Sequence, residues 1–183
     1  SVFRWVWIPV ILTLTFVNYM LRFWKWHYYI GRIGVRIGLA DSLGIFLSGL
    51  SLSVTPYKAG EVIKSYLLKQ TCGVAINRTA PVVLAERFTD LMGMVLLAAI
   101  GAISYGYGAA VVGVTTALAL VFVIVIQSRQ SSLKIISGLK RLPLVKRYAE
   151  GLLVAYDSTY ELLKPKPTLV ATLASVISWF SEC

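Results

Sequence analysis

The chain has 183 residues, is 57% hydrophobic and carries a formal net charge of +10, with a mean hydropathy of +0.75. Soluble domains are usually about 45–50% apolar, so this composition excludes an ordinary soluble domain and predicts an all-α, polytopic transmembrane helix bundle. The basic excess does not point to nucleic acid, because Lys and Arg of membrane proteins collect in cytoplasmic loops and beside anionic headgroups. Cys72 and Cys183 are too few and too far apart for a disulfide framework or a metal site, and no metal or cofactor is expected.

The first predicted span runs from about Trp7 to Trp24, long enough to match the hydrocarbon thickness. Aromatic residues cluster at both ends, with Phe3, Trp5 and Trp7 before it and Phe23, Trp24, Trp26, Tyr28 and Tyr29 after it. Such clusters suit interfacial belts better than a core. Arg22, Lys25, Arg32 and Arg36 then read as a surface segment on the positive side, with His27 an interfacial residue.

Leu39–Val54 is short, rich in Gly and Ser, and followed by Pro56; Ala59–Gln70 reads as a further helix. Two topologies stay open. Either Leu39–Val54 spans and the polar segment beyond it lies in water, or Leu39–Gln70 is a re-entrant or broken hairpin that returns to its own side. The second gathers more Lys and Arg on one side, as the positive-inside rule favours. Broken helices at membrane depth persist only where they are buried in protein or line a wet cavity.

Thr79-Ala80-Pro81 resembles a helix start, a hydroxyl cap followed by Pro, and predicts a span over 81–105. A further span is expected at 109–126. Residues 127–167 form the largest polar segment, read as a basic amphipathic cytoplasmic helical segment whose Leu144, Tyr148, Leu152, Ala155, Thr159 and Leu162 recur at helical period. Pro165 and Pro167 end it, and another span begins near 168. The chain opens just before one apolar run and stops inside another, so 1–183 reads as one membrane domain, a fragment of a longer protein.

Most of the charge expected at membrane depth lies between Ser53 and Asp90: Lys58, Glu61, Lys64, Glu86, Arg87 and Asp90. Each charge at a bilayer centre costs about 2.5–3.5 kcal/mol on insertion scales, so buried charges of this kind mark sites. Lys58 and Lys64 are candidates to meet a lipid phosphate. Gly60 allows close backbone approach after the break at Pro56. Glu61 would orient Lys64 or pair with a cationic headgroup, and Glu86, Arg87 and Asp90 would form the opposing wall. A second reading makes the Glu-Arg-Asp trio a self-neutralising strut between helices.

Pro56, Gly60, Glu61 and Lys64, followed by Glu86, Arg87 and Asp90, resemble the P-x-x-x-G-E-x-x-R … E-R-x-x-D pattern of the flippase-like membrane domain of lysylphosphatidylglycerol synthases and their stand-alone bacterial and archaeal relatives. The resemblance covers about Leu39–Ser104. Two positions depart from it: Lys64 stands where Arg is usual, which keeps the charge but loses the bidentate fork, and Ser53 stands where Asn is frequent. The resemblance implies a cell-membrane protein that binds or translocates an anionic lipid: aminoacylated phosphatidylglycerol, another phospholipid or a polyprenyl-phosphate carrier. The alternatives are a glycosyl or acyl transferase acting on a lipid carrier, with Glu61, Glu86 or Asp90 as base, and a structural scaffold for a partner enzyme. A homo-oligomer and a complex with a lipid-modifying enzyme both stay open.

Overall fold

The computed structural model describes residues 5–52, 59–105, 108, 110, 112–118, 121 and 149–182. Among these the regular structure is all helical, with no strand. A short 3-10 turn, Trp5–Trp7, leads into α1 (Ile8–Arg32), and α2 (Leu39–Ser51), α3 (Ala59–Cys72) and α4 (Ile76–Tyr105) follow. Residues 112–118 are helical. The last two elements are α5 (Ala149–Leu162) and α6 (Pro165–Phe180).

Glycine ends two of these helices. After α1, Gly34 takes φ +77°, and the Val35 amide donates to the Ile30 carbonyl at 3.2 Å. After α3, Gly73 takes φ +68°, and its amide donates to the Lys69 carbonyl at 3.0 Å. Left-handed φ lets the chain turn back and satisfy the last free carbonyls, a conformation that costs glycine nothing.

The helices pack around α1 and α4. α4 touches α1, α3, α5 and α6, while α1 also touches α2, α5 and α6. α2 and α3 lie against each other as an antiparallel pair: Gly49 near the end of α2 faces Gly60 and Lys64 near the start of α3, and Phe46, a turn earlier, faces the Lys64 ammonium. At 1.5 Å per residue each is about 20 Å long, short of a hydrocarbon core about 30 Å thick. Among the described residues one helix, Trp5–Arg32, is both long and apolar enough to cross a membrane.

The distribution of polarity is inverted relative to a water-soluble bundle. Val10, Ile11, Leu12, Leu14 and Phe16 of α1 are exposed, as are Leu84, Leu91 and Ile100 of α4 and Leu169, Leu173 and Ile177 of α6. Lys25, Lys64, Glu86 and Asp90 are buried, with Asn18, Ser42, Thr89 and Ser175. Apolar surface of this extent, alongside buried charge, is what hydrocarbon solvent permits and water disfavours.

Three boundaries differ from the sequence reading. α1 runs on to Arg32, and Trp26 and Tyr29, expected in an interfacial belt, are fully buried in the main apolar cluster with Ile30, Leu68, Val82 and Leu162. α4 starts at Ile76, so Pro81 lies inside it; its ring nitrogen leaves the Asn77 carbonyl without the usual amide partner. α6 starts at Pro165, where a fixed φ and a missing donor suit the first turn. The amphipathic segment is represented by α5, whose Leu162 is fully buried; its earlier part, with the 109–126 span beyond residue 121, lies outside the described residues.

Candidate polar cavity

The buried charges surround one cavity of about 330 Å³. It is lined by Tyr19, Arg22 and Lys25 from α1, by Phe46, Gly49 and Leu50 from α2, by Lys64 from α3, by Glu86, Arg87 and Asp90 from α4, and by Trp179 from α6. Two ion pairs stand at its walls.

The first joins three helices. Lys25, 3% exposed at its side chain, pairs with Asp90 across the α1–α4 contact. The Lys25 ammonium also donates to Ser175 Oγ of α6 at 2.9 Å, and that hydroxyl donates to the same Asp90 oxygen at 2.9 Å. Arg22, one turn before Lys25, stands 4.0 Å from the other Asp90 oxygen. Gly93 makes this contact feasible: a Cβ there would lie 3.0 Å from Ser175 Cβ and 3.1 Å from the α6 backbone. Asn18, two turns before Lys25, donates from Nδ2 to the Ser178 carbonyl at 2.8 Å, a second tie between α1 and α6. A buried pair is tolerable when the remaining donors and acceptors are satisfied, and this one approaches that condition.

The second pair is looser. Lys64 Nζ lies 3.4 Å from Glu86 Oε2, at the edge of hydrogen-bond range. The same ammonium stands 4.7 Å from the centroid of the Trp26 ring and 5.1 Å from that of Phe46, within the range of cation–π attraction. Its aliphatic stem runs past Gly49, where a Cβ would come within 2.5 Å of Lys64 Cγ.

Of the residues singled out in the sequence, Lys64, Glu86, Arg87 and Asp90 meet at this cavity. Gly60 is buried in the first turn of α3, its carbonyl 3.0 Å from the position of a Cβ on Gly49. Glu61 falls within α3, and Pro56 and Lys58 lie outside the described residues. Arg22 and Lys25, read from sequence as surface residues, line the cavity instead. The signal that could have found them is Asn18, Arg22, Lys25 and Tyr29, spaced so that one polar stripe runs down an apolar helix. His27, read as interfacial, makes a 3.0 Å hydrogen bond to Ser42 Oγ. Among the described residues no group of three His, Cys, Asp or Glu is arranged to hold a metal ion.

An apolar exterior around an ion-lined cavity defines a helical membrane domain with a polar interior. The particular family follows from the sequence: residues 1–183 match the lysylphosphatidylglycerol synthase TM region. The chain belongs to that family, and is a membrane protein with a lipid-related role. No curated protein and no solved structure matches it.

Proposed function

We propose that the cavity receives the phosphate-bearing headgroup of an anionic lipid and carries it through the hydrocarbon, as a flippase or flippase-like lipid-binding domain of the cell membrane. The observation that carries this reading is the cationic lining: Arg22, Lys25, Lys64 and Arg87 gather with Glu86 and Asp90 around one cavity. A concave site lined mainly by one sign of charge draws the opposite charge into it, and the guanidinium fork matches the oxygens of a phosphate. A volume of about 330 Å³ is at the lower end for small-molecule sites, about 300–1,000 Å³, and suits a headgroup with its acyl chains left outside.

In this reading the α2–α3 pair is a re-entrant hairpin in a multi-pass bundle. Each helix is too short to cross alone, and Gly49 and Leu50 of α2 and Lys64 of α3 line the cavity, the setting in which interrupted helices survive at membrane depth. Arg22 and Arg87, the more exposed cations of the lining, would meet the phosphate first, with Lys25 behind them.

The test is headgroup-dependent translocation of fluorescent phospholipids in proteoliposomes. Arg22→Gln combined with Arg87→Gln should lower the rate at least tenfold while the protein stays folded. An unchanged rate would reject the assignment. A structural scaffold is the second reading, favoured by the Lys25–Asp90–Ser175 tie across three helices; under it, loss of charge lowers stability and leaves lipid handling per folded molecule untouched.

A further inference from the structure

Lys64 occupies an environment built for a cation. Two aromatic faces, Trp26 at 4.7 Å and Phe46 at 5.1 Å, and the Glu86 carboxylate at 3.4 Å surround its ammonium. Trp26 is fully buried and Phe46 is 4% exposed, so the aromatic faces are dry, the condition in which cation–π attraction is strongest. The carboxylate adds the opposite charge. Aromatic faces with an acid are the recurring means by which proteins bind ammonium-bearing ligands.

Lys64 holds this place by a flexible stem and by an ion pair at the edge of hydrogen-bond range. Lys25, in the same cavity, donates to Asp90 and to Ser175, whereas among the described residues the Lys64 ammonium makes one hydrogen bond, the long one to Glu86. The stem passes the cavity-lining Gly49, where any side chain would collide with it. Withdrawal of Lys64 into the adjoining cavity would therefore leave the box formed and empty.

We infer that Trp26, Phe46 and Glu86 form a subsite for the ammonium of a lipid headgroup, and that Lys64 is its resident occupant, displaced when such a headgroup enters. This rests on the lipid-headgroup reading above and changes one part of it: the favoured ligand keeps the phosphate but carries an ammonium beside it, so its headgroup is zwitterionic and not net anionic. The internal cation lowers the apparent affinity by the fraction of molecules whose box it fills. It also keeps Glu86 from facing hydrocarbon unpaired between ligands, since an orphaned buried charge is strongly unfavourable.

The experiment compares two short-chain probes on the purified, detergent-solubilised chain: phosphatidylethanolamine, and phosphatidylpropanol, which puts a methyl group where the ammonium stands. The readout is the ratio of their dissociation constants. Wild type should prefer phosphatidylethanolamine. Lys64→Ala, which empties the box, should raise that preference about tenfold, and Glu86→Gln in the Lys64→Ala background should abolish it. Gly49→Ala, which dislodges Lys64 without removing a charge, should raise the preference too and serves where Lys64→Ala fails to fold. If Lys64→Ala weakens both probes equally, Lys64 is a phosphate ligand; the subsite is then rejected and the lipid reading stands. If neither probe binds the folded wild type, both readings fall.

Discussion

The two walls of the cavity hold the same kinds of group in different ways. On one wall, Lys25 and Asp90 are locked by Ser175, by the neighbouring Arg22 and by the close approach of α6 at Gly93. On the other, Lys64 and Glu86 make a long contact beside aromatic faces and a glycine. The locked pair spans three helices and so belongs to the frame. The loose pair joins the short α2–α3 hairpin to that frame, where movement disturbs less packing. A buried charge can thus serve as a joint or as an exchangeable contact, and its remaining hydrogen bonds decide which.

Breaking the locked wall should have the largest effect. Lys25→Met leaves Asp90 buried beside Ser175 with its principal counter-ion gone, a loss of about 3–5 kcal/mol for a broken buried pair. The thermal unfolding midpoint in detergent should fall sharply, and Lys25→Met with Asp90→Leu should recover much of it. Gly93→Val comes next: the added side chain meets Ser175 and the α6 backbone, and overpacking of this kind costs about 1–3 kcal/mol. Ser175→Ala removes one donor and one acceptor from the same pair and should cost about 1 kcal/mol, the net worth of ordinary hydrogen bonds.

Arg22→Gln sharpens the contrast from the other direction. Its contact to Asp90 is long and partly exposed, so its contribution to stability should be under about 1 kcal/mol. The expected result is a nearly unchanged unfolding midpoint together with weakened phospholipid retention. A midpoint as low as that of Lys25→Met would place Arg22 in the frame instead of at the ligand.

The charges that α3 and α4 bring to the two walls were legible in the sequence, because Lys64, Glu86, Arg87 and Asp90 interrupt long apolar runs where a charge is costly. Their partners on α1 were not. Arg22, Lys25 and Trp26 sit where an apolar run gives way to basic and aromatic residues, and that composition serves a membrane interface as well as a polar cavity. Only the packing of α4 and α6 against this stretch separates the two, and that is long-range information. Ser175 was invisible for a related reason: a serine in an apolar helix acquires meaning from Asp90, 85 positions away. The start of α4 was misread because a hydroxyl before Pro81 imitates a cap, whereas the helix tolerates that proline in its second turn.

The most direct measurement of the central claim is native mass spectrometry of the purified chain during stepwise delipidation. A phosphate-bearing lipid seated in the cavity should stay bound at one per chain after the annular lipids have gone, and should be lost from the Arg22→Gln, Arg87→Gln double variant. Equal retention by the folded double variant and the wild type would contradict the claim.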